Sequence, residues 1–143
     1  YAVSQLKPVP HRLELKPFIN GAILIDDAYN ANPEGCLEAV RVLGSFSGMR
    51  KIIVTPGLVE LGEKEYDCNY QLGLAAGKTC DTVILVGEKR AVPMADAIAT
   101  LNFPKEQLHI VHSFADAMAL LQRLADKSTA VLFENDLPDN YAG

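Results

Sequence analysis

A chain of 143 residues with 49% hydrophobic content holds enough apolar material for one domain with a single sizeable core. Its formal net charge of -5 comes from scattered acids, and no Lys/Arg-rich tract with interleaved aromatics appears, which argues against nucleic acid and against an anionic membrane surface as partners. No apolar run approaches the roughly 20 residues that span a bilayer, no secretory signal is visible, and the three cysteines Cys36, Cys68 and Cys80 form no CxxC pair, so free thiols in a reducing, cytoplasmic setting are expected.

The chain is expected to open with a hairpin. Arg12-Leu13-Glu14-Leu15-Lys16 alternates polar and apolar residues, and Ala22-Ile23-Leu24-Ile25 follows Asn20-Gly21, a dipeptide that accepts the positive φ of a tight turn. From Pro33 the apolar spacing becomes helical through Leu37, Val40, Val42 and Leu43, with Asn32 as the cap, Pro33 in the first helical position and Gly44 closing the helix. Lys51 to Thr55 is a β-branched run suited to a buried strand, and a helical segment runs from about Glu63 to Gly77. Thr82 to Val86, ending at Gly87, repeats the strand pattern, and a helical segment follows through Met94, Ile98 and Leu101. Leu108 to Val111 is the next strand. Ser113 then caps a helix from Phe114 to Leu124, with Asp116 as a weaker capping-box partner, and Ala130 to Phe133 is the last strand.

This alternation predicts an α/β Rossmann-like three-layer sandwich: a mostly parallel sheet with helices on both faces and an N-terminal β-hairpin. Ligands of such sheets bind at the carboxyl ends of the strands, which selects four loops, Asp26–Asn32, Pro56–Gly62, Gly87–Arg90 and Glu134–Asp139. The sequence contains no GxxxxGK[ST], no GxGxxG and no GxSxG, and no His/Cys cluster at metal-ligand spacing, so the chain alone is not expected to cradle a triphosphate. The cysteines read as packed helix residues, His109 and His112 as surface or core residues, and Gly87-Glu88-Lys89-Arg90 as a solvated loop or an anion contact. An abrupt start at Tyr1 and a polar tail from Leu137 to Gly143 lead us to expect a piece of a longer protein.

The order of three short motifs is more specific than any one of them: Pro10-His11-Arg12 before the hairpin, Asp26-Asp27-Ala28-Tyr29-Asn30-Ala31-Asn32-Pro33 closing its second strand, and Thr55-Pro56-Gly57-Leu58-Val59-Glu60-Leu61-Gly62 after the next. Over essentially its whole length the chain resembles the C-terminal domain of the Mur ligases, the ATP-dependent amino-acid ligases of peptidoglycan precursor synthesis. Within them it is most similar to the branch that adds D-alanyl-D-alanine to a UDP-N-acetylmuramoyl-tripeptide. The resemblance implies residues 1–10 as an interdomain linker and 11–143 as the acceptor-substrate domain. The N-terminal UDP-sugar domain and the central ATPase domain would lie upstream. ATP and Mg2+ would be bound mainly by that central domain. The partners implied are a UDP-N-acetylmuramoyl-peptide, an amino acid or dipeptide acceptor and the chain's own two other domains.

The resemblance carries roles to individual residues. It puts His11 near the adenosine and Arg12 on the phosphates, where a planar guanidinium stabilises a transferring phosphoryl group and acts catalytically. Asp27 would accept the vicinal ribose hydroxyls, with Tyr29 and Asn30 lining the nucleotide or amino-acid side. Asp26 reads as a structural partner. Glu60 either contacts the substrate amine or Arg12, or favours the start of the next helix through its dipole. Two departures stand out: Pro56-Gly57-Leu58 replaces a family segment that often carries an acid, and Glu134 occupies the lysine position of a V-L-x-K-G-S segment. With Asp136 on the substrate side, Glu134 inverts the local charge and should favour an amine over a carboxylate. The other reading of Glu134 to Asn140 is an acidic surface turn. A non-catalytic nucleotide- or precursor-binding module of the same fold, or a paralogous ligase with another acceptor, is the alternative to the dipeptide-adding function.

Overall fold

Alternation within each strand decides which side chain meets which layer, and in the computed structural model, which describes residues 13–27, 32–59 and 61–134, it is regular enough to separate two cores. The elements are β1 (Glu14–Pro17), β2 (Ile23–Asp27), α1 (Pro33–Gly44), β3 (Arg50–Thr55), α2 (Glu65–Thr79), β4 (Thr82–Val86), α3 (Val92–Ala99), β5 (Leu108–Val111), α4 (Phe114–Leu124) and β6 (Thr129–Glu134). They form one six-stranded sheet in the order β1-β2-β6-β3-β4-β5. Only β1 runs antiparallel to its neighbour.

On one face Ile25, Leu132, Ile53 and Leu85 pack against Cys36, Val40 and Leu43 of α1, Leu72 and Ala76 of α2, and Met94 and Ile98 of α3. On the other, Leu24, Val131, Phe133, Ile52, Val54 and Ile84 meet Phe114, Ala117 and Leu121 of α4. Phe133 lies between Phe18 and Phe114 in two edge-to-face contacts, with ring centroids 5.4 and 5.3 Å away. The expected three-layer sandwich is therefore present, with three helices on one side and one on the other.

The local signals explain the joints. Asn20 at φ 55° and Gly21 at φ 83° form the two positive-φ positions of the hairpin turn, closed by the Ala22 N–H donating to the Ile19 carbonyl at 3.0 Å. The Asn20 amide also donates to the carbonyls of Gln122 and Ala125, tying the turn to the end of α4. Asn32 caps α1 by accepting from the Glu34 and Gly35 amides at 2.8 and 3.1 Å, with Pro33 opening the helix. Ser113 caps α4 through the Asp116 amide. Gly44 acts differently from expectation: α1 ends on Ser45 in right-handed geometry, its hydroxyl donating to the Val42 carbonyl, and a Cβ on Gly44 would come within 3.2 Å of Thr79 Cγ2.

Some element boundaries also differ from the sequence reading. Asp26 and Asp27 belong to β2, and Glu134 to β6, where loops were expected. The cause is the strand order: because β6 is inserted between β2 and β3, the ladder continues to Asp27 and Glu134, which are register partners. α2 begins at Glu65, later than read, behind a single 3-10 turn over Gly62–Lys64.

Candidate functional site

Successive residues of a strand point to opposite faces, so Asp27 shares the face of Ile25, Glu134 that of Leu132, and Thr55 that of Ile53. Asp27 pairs in register with Glu134, and Thr55 and Glu134 each follow a register pair, Val54 and Phe133. The carboxyl ends of β2, β6 and β3 thus carry one row, Asp27, Glu134 and Thr55, on the side covered by α1. The row is buried, at 4%, 0% and 0% exposure. Asp27 and Glu134 stand on adjacent strands with their side chains on one face, so a cationic group brought to that edge would meet two acids together. Among the described residues no group of three or more His, Cys, Asp or Glu is placed to hold a metal ion.

The second part of the edge is the loop after β3. Pro56, Gly57 and Leu58 are buried, which is unusual for a loop because its backbone groups must find partners away from water. Pro56 has no N–H; the Gly57 N–H donates to Thr55 Oγ1 at 3.0 Å; the Leu58 N–H donates to Asn69 Oδ1 at 2.7 Å. Asn69 Nδ2 donates in turn to the carbonyls of Leu58 and Glu65, both at 2.9 Å. Gly57 sits at φ 87°, and a Cβ there would lie 2.9 Å from Asn69 Oδ1. The missing family acid is consistent with this burial: a carboxylate at Pro56 or Gly57 would have to leave water.

Of the residues singled out from the sequence, the structure brings Asp27 and Glu134 together. His11, Arg12, Tyr29, Asn30, Glu60 and Asp136 lie outside the described residues. Burial in β6 rules out the surface-turn reading for Glu134 itself. Asp26 takes the structural part expected of it, accepting from Lys16 Nζ at 2.8 Å, a contact that raises the Lys16 pKa. The Gly87–Arg90 loop is solvated, with Glu88 3.3 Å from His112 Nε2. Burial, followed by the charges of Arg123 and Arg50, holds His109 below its usual value. Cys36 and Cys80 are buried and Cys68 half-buried, and burial pushes the Cys80 thiol well up, away from nucleophile chemistry. Asn69 escaped the sequence reading. The available signal was a polar residue on the stripe of Leu72, Gly73 and Ala76, where a helix otherwise turns apolar side chains to the core.

The family model described as Mur ligase, glutamate ligase domain matches residues 11–134. The chain belongs to the Mur ligase C-terminal domain family. A UDP-N-acetylmuramoyl-tripeptide--D-alanyl-D-alanine ligase of Escherichia coli (strain K12) is 35% identical over 123 residues, covering 85% of this chain and 25% of that protein. The enzyme of the same name from Bacillus subtilis (strain 168) is 28% identical over 134 residues, covering 92% of this chain and 29% of that protein. This Mur ligase domain thus spans about a quarter of the length of those relatives. Among solved structures, a MurF ligase from Thermotoga maritima in complex with ADP superposes with a TM-score of 0.70 at 26% identity, over 93% of this chain and 29% of that one. A domain from a putative UDP-N-acetylmuramate:L-alanyl-gamma-D-glutamyl-medo-diaminopimelate ligase of Haemophilus ducreyi 35000HP matches at TM-score 0.60 and 15% identity, covering 87% of this chain and 88% of that one, a likeness of fold alone.

Proposed function

We propose that this chain is the acceptor-binding domain of an ATP-dependent, amide-forming ligase of peptidoglycan precursor synthesis, and that the Asp27–Glu134–Thr55 row borders the nucleotide on its Asp27 side and the acceptor on its Glu134 side. The observation that carries this is the register pairing of Asp27 with Glu134, two buried acids at the carboxyl edge, in a chain of the Mur ligase C-terminal domain family. In the proposed reaction a carboxylate of the UDP-N-acetylmuramoyl-peptide takes the terminal phosphoryl group of ATP, releasing ADP. The acceptor amine then attacks the acyl phosphate carbon, forming the amide and expelling phosphate as the amine gives up a proton.

ATP and Mg2+ are held mainly by the upstream central domain in this reading. Arg12 supplies charge stabilisation to the transferring phosphoryl group, and His11 reaches the adenosine. Asp27 accepts from the ribose hydroxyls while Tyr29 and Asn30 line the cleft; a rigid strand end suits that task. Glu134, with Glu60 and Asp136, addresses the acceptor. Because Glu134 is acidic, the acceptor's far end is an amine or a neutral amide in preference to a carboxylate. The free thiols of Cys36, Cys68 and Cys80 suit the reducing cytoplasm, where we place the protein. A second reading, a binding module without ligase activity, draws on the acid-free Pro56–Leu58 loop.

The test is coupled ADP release by the complete protein with UDP-N-acetylmuramoyl-tripeptide and one acceptor at a time: D-alanyl-D-alanine, its C-terminal amide, and a diamine. Turnover with a preference for the amide or the diamine is expected. Release of no ADP with any acceptor would favour the binding module, and a preference of tenfold or more for the free dipeptide would overturn the role given to Glu134. This domain by itself should release no phosphate, since orientation and closure need the other domains.

A further inference from the structure

Asn69 belongs to α2 and is 3% exposed, so it is a core position by burial, yet its carboxamide is spent on the loop after β3. It accepts from the Leu58 N–H and donates to the Leu58 carbonyl, covering both backbone groups of one loop residue as a neighbouring strand would. Its remaining donation goes to the Glu65 carbonyl, in the first turn of α2, so one side chain bridges the loop and the start of the helix that follows it. Thr55 secures the other end through the Gly57 amide, and Thr55 is also the flank of the acid row. Gly57 closes the fit, because its left-handed φ and its approach to Asn69 Oδ1 leave no room for a side chain.

A carboxamide is the group with this combination at this reach: one acceptor and two donors on a short stem. Aspartate would keep the bond from Leu58 N–H but turn both donations into contacts between oxygens. Leucine would keep the approximate volume and leave the Leu58 amide and carbonyl without their partner, which a buried loop tolerates poorly.

We propose that Asn69 is a positioning residue for the acceptor: it holds Pro56–Leu58, and through Thr55 the edge of the Asp27–Glu134 row, in the one geometry against which the acceptor is aligned. The role presupposes the acceptor-site reading above. It touches neither substrate nor nucleotide, so its loss should move acceptor kinetics and leave the ATP site alone. Misplacement of a reacting group by about 1 Å costs on the order of 100-fold in rate.

The test uses the complete protein with Asn69→Leu and Asn69→Asp, following ADP release while ATP and acceptor are varied separately. The expected result is a fall of roughly 10- to 100-fold in kcat/KM for the acceptor with KM for ATP within about twofold of the parent. Asn69→Asp should recover part of its loss as pH falls, because a protonated carboxyl regains one donor, while Asn69→Leu should not. Should Asn69→Leu fail to fold, Asn69→Ser serves instead, keeping a small polar side chain but losing the paired bonds of the carboxamide to Leu58, and the same split in kinetics is expected at smaller amplitude. A folded variant with unchanged acceptor kcat/KM, or one in which both KM values rise alike, overturns the role of Asn69. A parent protein that releases no ADP with any acceptor overturns the ligase reading instead, and the positioning role falls with it.

Discussion

Replacing Gly57 by alanine should be the most destabilising single-methyl addition at the carboxyl edge of the sheet. At φ 87° an L-residue pays about 1–2 kcal/mol of backbone strain. The new Cβ would also stand 2.9 Å from Asn69 Oδ1 and 3.2 Å from Met94 Cε. The methionine end can swing away, but Asn69 is held by three hydrogen bonds and can retreat only by weakening those to Leu58, each worth about 1 kcal/mol. Together these give a loss of about 3 kcal/mol, which in a domain of this size lowers the melting temperature by roughly 10 °C. Gly48→Ala is the internal control, since Gly48 has φ 78° but nothing within 4 Å of its would-be Cβ. It should show the strain cost alone. Calorimetric melting of both variants measures the difference, and equal shifts for Gly57→Ala and Gly48→Ala would refute the account of the Asn69 contact.

Three further outcomes follow from packing and charge. Phe133→Ala should cost about 3–5 kcal/mol in urea unfolding, because the ring fills the space between Phe18 and Phe114, and a loss below about 1 kcal/mol would contradict that packing. His109 has its pKa lowered in the folded state, so the unfolded chain binds the proton more readily; its contribution is fully present above the unfolded value of about 6.5 and is lost as pH falls from there through the lower folded value. The fall in urea midpoint between about pH 7.5 and 5.5 should therefore be shallower in His109→Asn, and an unchanged slope would count against it. In the folded protein, iodoacetamide should modify half-buried Cys68 before Cys36 and Cys80, as read by mass spectrometry, whereas early labelling of Cys80 would contradict the burial that raises its thiol.

Much of the fold was legible because its signals are local. Asn20-Gly21 names the hairpin turn, Asn32-Pro33 and Ser113 name helix starts, and the β-branched runs at Thr82–Val86 and Leu108–Val111 have the strand boundaries that the structure gives them. Each rests on residues within a few positions of one another, so a reader of the chain meets the whole cause in one window. Asp27 was also visible as a strand-end acid, and the motifs that carried the family resemblance lie, Pro10 apart, in the stretch the family model matches.

What the sequence could not supply is the company these residues keep. Asp27 and Glu134 stand more than a hundred positions apart, and they become neighbours only because β6 enters the sheet between β2 and β3. Nothing periodic marks that insertion, which is decided by how two helical layers bury both faces of the central strands. The same holds for Asn69: its partners at Leu58 and Glu65 are near in sequence, yet the need for it arises only once the loop after β3 is buried and its backbone must be satisfied. Sequence alone determined the order of the elements, the caps at the starts of α1 and α4, and the family. Tertiary structure decided that two acids share one buried row, and that an asparagine in the core holds the loop beside it.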